Sequence, residues 1–145
     1  GLPLSFSQED IAIAGHSIEV RINAEDPAAG FRPAPGKTEF VHFPGGPGVR
    51  VDSALYTGCE LSPYYDSMVA KIIVHAPTRL LAIRRMRRAL EEVVVKGYPT
   101  STDLCYLILH NPEFMRGAYN TGFIKKNLET LLRYGRACTK GEDKA

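Results

Sequence analysis

An α+β domain is the architecture this sequence predicts: a mainly antiparallel, barrel-sandwich-like sheet in the first half, followed by C-terminal helices. Three observations carry that expectation. Apolar and polar residues alternate through Ile18-Glu19-Val20-Arg21-Ile22-Asn23 and again through Val49-Arg50-Val51-Asp52, the period of a strand with one buried face. The run Met68-Val69-Ala70-Lys71-Ile72-Ile73-Val74-His75 is β-rich and nearly continuous in apolar character, as a central strand requires. Beyond Pro77 the apolar period lengthens to that of an amphipathic helix.

The first residues are polar, with a short helical segment expected near Ser7. A strand is expected over 16–24, ending at Glu25-Asp26-Pro27, where proline removes a backbone donor. After a Pro/Gly-rich connection, residues 37–43 read as a second strand. The turn Pro44-Gly45-Gly46-Pro47-Gly48 then leads to the strand carrying Arg50, and the two strands read as an antiparallel hairpin. Thr78 is an N-cap candidate for a helix with Leu80, Ile83, Met86, Leu90, Val93 and Val94 on one face, ending at Gly97. Arg84, Arg85 and Arg88 fall on its other face, and Arg87/Glu91 and Arg88/Glu92 have the spacing of i,i+4 ion pairs. A second helix is expected over 101–110, stopped by Asn111-Pro112, and a third after Thr121 with Phe123, Ile124, Leu128, Leu131 and Leu132 as its stripe. Residues 1–134 are assigned to one domain and 135–145 to a polar, disordered tail.

A chain of 145 residues suffices for one core, and 44% apolar with 23% charged residues argues against disorder. No apolar run has the length of a membrane-spanning helix, and the first residues lack the pattern of a signal peptide, so a cytoplasmic protein is expected. Cys59, Cys105 and Cys138 fit neither a disulfide framework nor a zinc site, and His16, His42, His75 and His110 lack metal-ligand spacing. No metal ligands are assigned. A net charge of +2 does not by itself call for nucleic acid.

The strand after the glycine-rich turn holds the candidate functional residue. With Val49 and Val51 on one face, Arg50 stands on the other, where its planar fork suits a carboxylate, a carbonate or a ureido oxygen. An ordinary surface arginine is the alternative reading. The neighbouring motifs shift the balance toward the functional reading: residues 15–27 (GHSIEVRINAEDP), Pro33-Ala34-Pro35-Gly36, residues 44–53 (PGGPGVRVDS) and Pro63-Tyr64-Tyr65-Asp66-Ser67-Met68. In this order, with looser matches at residues 82–86 and 121–124, the chain resembles the C-terminal domain of biotin carboxylase over roughly residues 1–130. Tyr98-Pro99-Thr100-Ser101 departs from the Lys-Thr-Asn that many relatives carry there.

The resemblance implies an ATP-dependent ligase that activates bicarbonate and carboxylates biotin on a carrier protein, the first half-reaction of acetyl-CoA or related acyl-CoA carboxylation in fatty acid biosynthesis. It places the nucleotide site, with Mg2+ or Mn2+, in an upstream ATP-grasp portion, so this chain alone is expected to show no turnover. It implies for Arg50 both a catalytic and a substrate-binding role: meeting the ureido oxygen of biotin beside bicarbonate, and stabilising the enolate formed as the ureido nitrogen loses its proton. Glu19, Arg21, Glu25 and Asp26 are candidates for a salt-bridged supporting shell, with solvated or structural ion pairs as the favoured reading. The implied partners are a biotin carboxyl carrier protein, the ATP-grasp portion, a carboxyltransferase component and a second copy in a homodimer, with no nucleic acid and no membrane. A non-catalytic module for subunit pairing or carrier docking is the alternative, and a nucleic-acid-binding arginine helix a further one; against the latter, the helix is interleaved with acids and has no aromatic platform.

Overall fold

A computed structural model of the protein describes residues 1–142, with side chains described through residue 137. Within these residues, seven strands and four helices follow in the order β1 (His16–Asn23), β2 (Glu25–Asp26), β3 (Arg32–Pro33), β4 (Phe40–His42), β5 (Val49–Ser53), β6 (Met68–Ala76), α1 (Arg79–Glu92), β7 (Val94–Lys96), α2 (Thr102–His110), α3 (Pro112–Arg116) and α4 (Phe123–Glu142). A short 3₁₀ turn, Gln8–Asp10, lies at the segment expected to be helical near Ser7. The strands form three small antiparallel sheets, and the C-terminal helices follow, the α+β arrangement expected.

The main sheet has the order β1-β6-β5, with the apolar run of β6 at its centre. Because side chains of paired residues share a face, Ile18, Val74 and Val49 form one apolar row and Val20, Ile72 and Val51 the next. These rows meet α1 through Ala82, Ile83, Met86, Ala89 and Leu90. Ile22, Ile72, Val74, Ile83 and Met86 are completely buried, each worth about 1.5–3 kcal/mol relative to exposure. Thr78 caps α1 as expected, accepting from Leu81 N at 3.3 Å. Leu80 is exposed, and Ala82 and Ala89 take places on the buried face instead.

Several expectations are corrected. β4 and β5 do not form a hairpin; β4 pairs with β7, while β5 pairs with β6. The α1 helix ends at Glu92, because the β-branched residues 93–95 suit an extended chain and Val94 and Val95 pair with His42 and Val41. Asn111-Pro112 closes α2 but also opens α3: Asn111 Oδ1 accepts from Glu113 N at 2.8 Å, and Pro112 fills the first helical position, where no N–H is needed. α4 continues past Gly135 to Glu142, beyond the expected start of the tail; residues 143–145 lie outside the described residues.

Among the described residues no helix is long and apolar enough to cross a membrane.

Candidate functional site

β5 enters the sheet from a turn whose geometry only glycine accommodates easily. Gly46 and Gly48 have φ of 101° and 70°. Val49 N donates to Gly46 O at 3.2 Å, and His75 N of β6 donates to Gly48 O at 3.0 Å, fixing the chain immediately before Arg50. From the other side, Arg88 Nη2 donates to Gly45 O at 3.1 Å and Arg85 Nη1 donates to His75 O. Two arginines of α1 thus hold the turn and the strand beside it.

Beyond this turn the valines go inward and the charges outward. Val49 and Val51 pack against the core, and Arg50 projects from the opposite face with its side chain 72% exposed. Arg50 Nε and Nη2 donate to Asp52 Oδ1 and Oδ2 at 2.9 and 2.8 Å, a bidentate pair. Hydrogen bonding to Asp52, aided by its charge, raises the Arg50 pKa further and keeps it cationic. The hydrogen bonds from Arg50 are the main cause that holds Asp52 below the ordinary carboxylate value; partial burial opposes them, and the charges of Arg50 and Lys71 add to the lowering.

The strand register extends this face into two rows, Glu19-Ile73-Arg50 and Arg21-Lys71-Asp52. Arg21 Nε meets Glu19 Oε1 at 3.3 Å, so that acid and base pair along β1. The candidate shell of Glu19, Arg21, Glu25 and Asp26 is a set of separate local contacts rather than one network. Glu25 Oε1 accepts from Asn23 Nδ2 at 3.3 Å and from Ser67 Oγ, and Asp26 Oδ1 caps the next turn through Ala28 N at 2.8 Å. Tyr64 and Tyr65 are 91% and 84% exposed. The departing segment Tyr98-Pro99-Thr100-Ser101 is structural: Tyr98 OH and buried Thr38 Oγ1 share a hydrogen bond of 2.9 Å, and Ser101 Oγ accepts from Asn23 N at 3.0 Å.

Among the described residues, no group of three His, Cys, Asp or Glu side chains is disposed to hold a metal ion.

A family model described as the biotin carboxylase C-terminal domain matches residues 19–126. The chain belongs to that family. This biotin carboxylase C-terminal domain is 50% identical over 128 residues to the biotin carboxylase of Haemophilus influenzae, an alignment covering 88% of the chain and 28% of that relative. It is 49% identical over 131 residues to the chloroplastic biotin carboxylase of Arabidopsis thaliana, covering 90% of the chain and 24% of the relative. Among solved structures, the biotin carboxylase domain dimer of Hydrogenobacter thermophilus 2-oxoglutarate carboxylase, in complex with MgADP, ADP and bicarbonate, superposes with a TM-score of 0.86 at 44% identity, covering 90% of the chain and 29% of that structure's chain. The chain thus spans under a third of the length of these relatives.

Two parts of the candidate site escape a reading by motif. The Arg50–Asp52 pair had a signal, since residues two apart on a strand share a face and these carry opposite charges. The Arg85 and Arg88 contacts had none, because α1 and the turn are far apart in sequence.

Proposed function

We propose that this chain is the C-terminal part of an ATP-dependent biotin carboxylase, and that Arg50 serves the step in which biotin is carboxylated. The observation that carries the reading is a guanidinium set on a sheet strand, locked by Asp52 along one edge, with its other edge turned away from that carboxylate. That edge can take a ureido oxygen or a carbonate with two parallel hydrogen bonds. As the ureido nitrogen loses its proton, negative charge grows on the ureido oxygen, and a cation already oriented toward it stabilises the transition state more than the ground state. Lysine offers no such fork.

ATP and the divalent metal belong to an upstream ATP-grasp portion, which supplies the activation of bicarbonate. Biotin arrives on a carboxyl carrier protein, and a carboxyltransferase component takes the carboxyl group to acetyl-CoA or a related acyl-CoA, as in fatty acid biosynthesis in the cytoplasm. The dimer, MgADP and bicarbonate of the Hydrogenobacter domain support extending a homodimer and those ligands to the complete enzyme.

The test is carboxylation of free biotin with ATP and bicarbonate, by the complete enzyme and by this chain alone. Activity is expected only with the ATP-grasp portion present. No biotin carboxylation by the complete, folded enzyme, or full turnover by this chain alone, would overturn the reading.

A further inference from the structure

We infer that Asp52 is a positioning residue for Arg50, taking the side edge of the guanidinium so that its end edge is held out for substrate; this rests on the role proposed for Arg50. An arginine has two edges able to make parallel hydrogen bonds, one formed by Nε with a terminal nitrogen and one by the two terminal nitrogens. Asp52 occupies the first, at 2.9 Å from Nε and 2.8 Å from Nη2. The Nη1/Nη2 edge points away from the carboxylate, and an arriving oxyanion or ureido oxygen can use it without breaking the existing pair.

The alternative, that Asp52 competes with substrate, would require Asp52 to cover the end edge, which it does not. Asp52 is itself fixed: it is in register with Lys71 of β6, whose charge favours the carboxylate form, and β5 is tied to β6 from Val49 to Ser53. Exposed ion pairs contribute little to stability. The contribution here is orientation, since a long side chain 72% exposed would otherwise sample many rotamers.

The experiment is a double-mutant cycle in the complete carboxylase, with Asp52→Ala, Arg50→Ala and the double variant, and with Asp52→Glu as the conservative change. Biotin carboxylation and biotin-independent ATP cleavage are both read. Asp52→Ala is expected to lower kcat/KM for biotin by roughly 5- to 10-fold with ATP cleavage little changed, and to have no further effect once Arg50 is alanine. Asp52→Glu should recover part of the loss. An equal Asp52→Ala loss in the Arg50→Ala background, no loss at all, or a gain would overturn the positioning role while leaving that of Arg50 intact. Undiminished biotin carboxylation in Arg50→Ala alone would instead remove the reading on which it rests.

Discussion

At Gly48 the backbone has a φ of 70°, and a Cβ added there would lie 2.8 Å from His75 O and collide with the Arg85 guanidinium. Gly48→Ala is therefore expected to cost about 1–2 kcal/mol from backbone conformation alone, with the collision in addition. It should also displace Arg50. A denaturant midpoint equal to that of the parent chain would count against this reading of the turn. Cys105 gives a second residue-level expectation. Burial pushes its thiol up to about 11, with the hydrogen bond to Ser101 acting in the opposite direction. Near pH ~8 it is a neutral thiol, and alkylation is carried by the thiolate. Peptide mapping after iodoacetamide treatment should find Cys105 protected in the folded chain and labelled in denaturant; rapid labelling of the native protein would contradict the assignment.

Helix α1 joins the parts of the molecule through its arginines. Its arginines are in large part tethers: Arg85 and Arg88 reach the turn before β5, Arg87 donates to Leu109 O at 2.6 Å near the end of α2, and Arg79 donates to Phe114 O at 2.7 Å. Only one of the two expected helical ion pairs forms, Arg88 with Glu92 at 2.5 Å, because Arg87 serves α2 and Glu91 accepts from Tyr106 OH at 2.6 Å. Arg87→Ala should lower stability by about 1–2 kcal/mol, as expected for losing a charged donor at a helix C-terminus. Denaturant unfolding checks it, and an unchanged midpoint would show that Leu109 O is satisfied without Arg87. The same elements show what was legible. β1, β6 and α1 could be read because each carries its own period, and the outward position of Arg50 because β5 alternates. The β4–β7 pairing joins segments more than fifty residues apart, and no local pattern reports it. Pro112 is as consistent with opening a helix as with ending one, and only the Asn111 cap separates the two.

Over the whole molecule, several large apolar side chains stand exposed, in the first residues and in the connection before β6. Leu2, Leu4, Ile13, Tyr64 and Tyr65 are each more than three-quarters exposed, while the core between the main sheet and α1 is closed to solvent. The isolated chain is expected to bind an apolar dye and to lose that signal when the ATP-grasp portion is added. A chain that binds no dye in either state would argue against a missing neighbour. The charged face of the sheet makes the functional expectation sharper. Arg50→Ala in the complete carboxylase removes an exposed side chain and should leave the fold unchanged. Arg84→Ala, on the exposed face of α1, serves as the control and should be close to neutral in every assay. Biotin carboxylation and biotin-independent ATP cleavage measured side by side on Arg50→Ala should separate, the first falling by ~100-fold or more and the second far less, as expected for losing one preorganised donor to the developing charge. Equal loss in both activities, or loss in neither, would contradict the assignment of Arg50 to the biotin step.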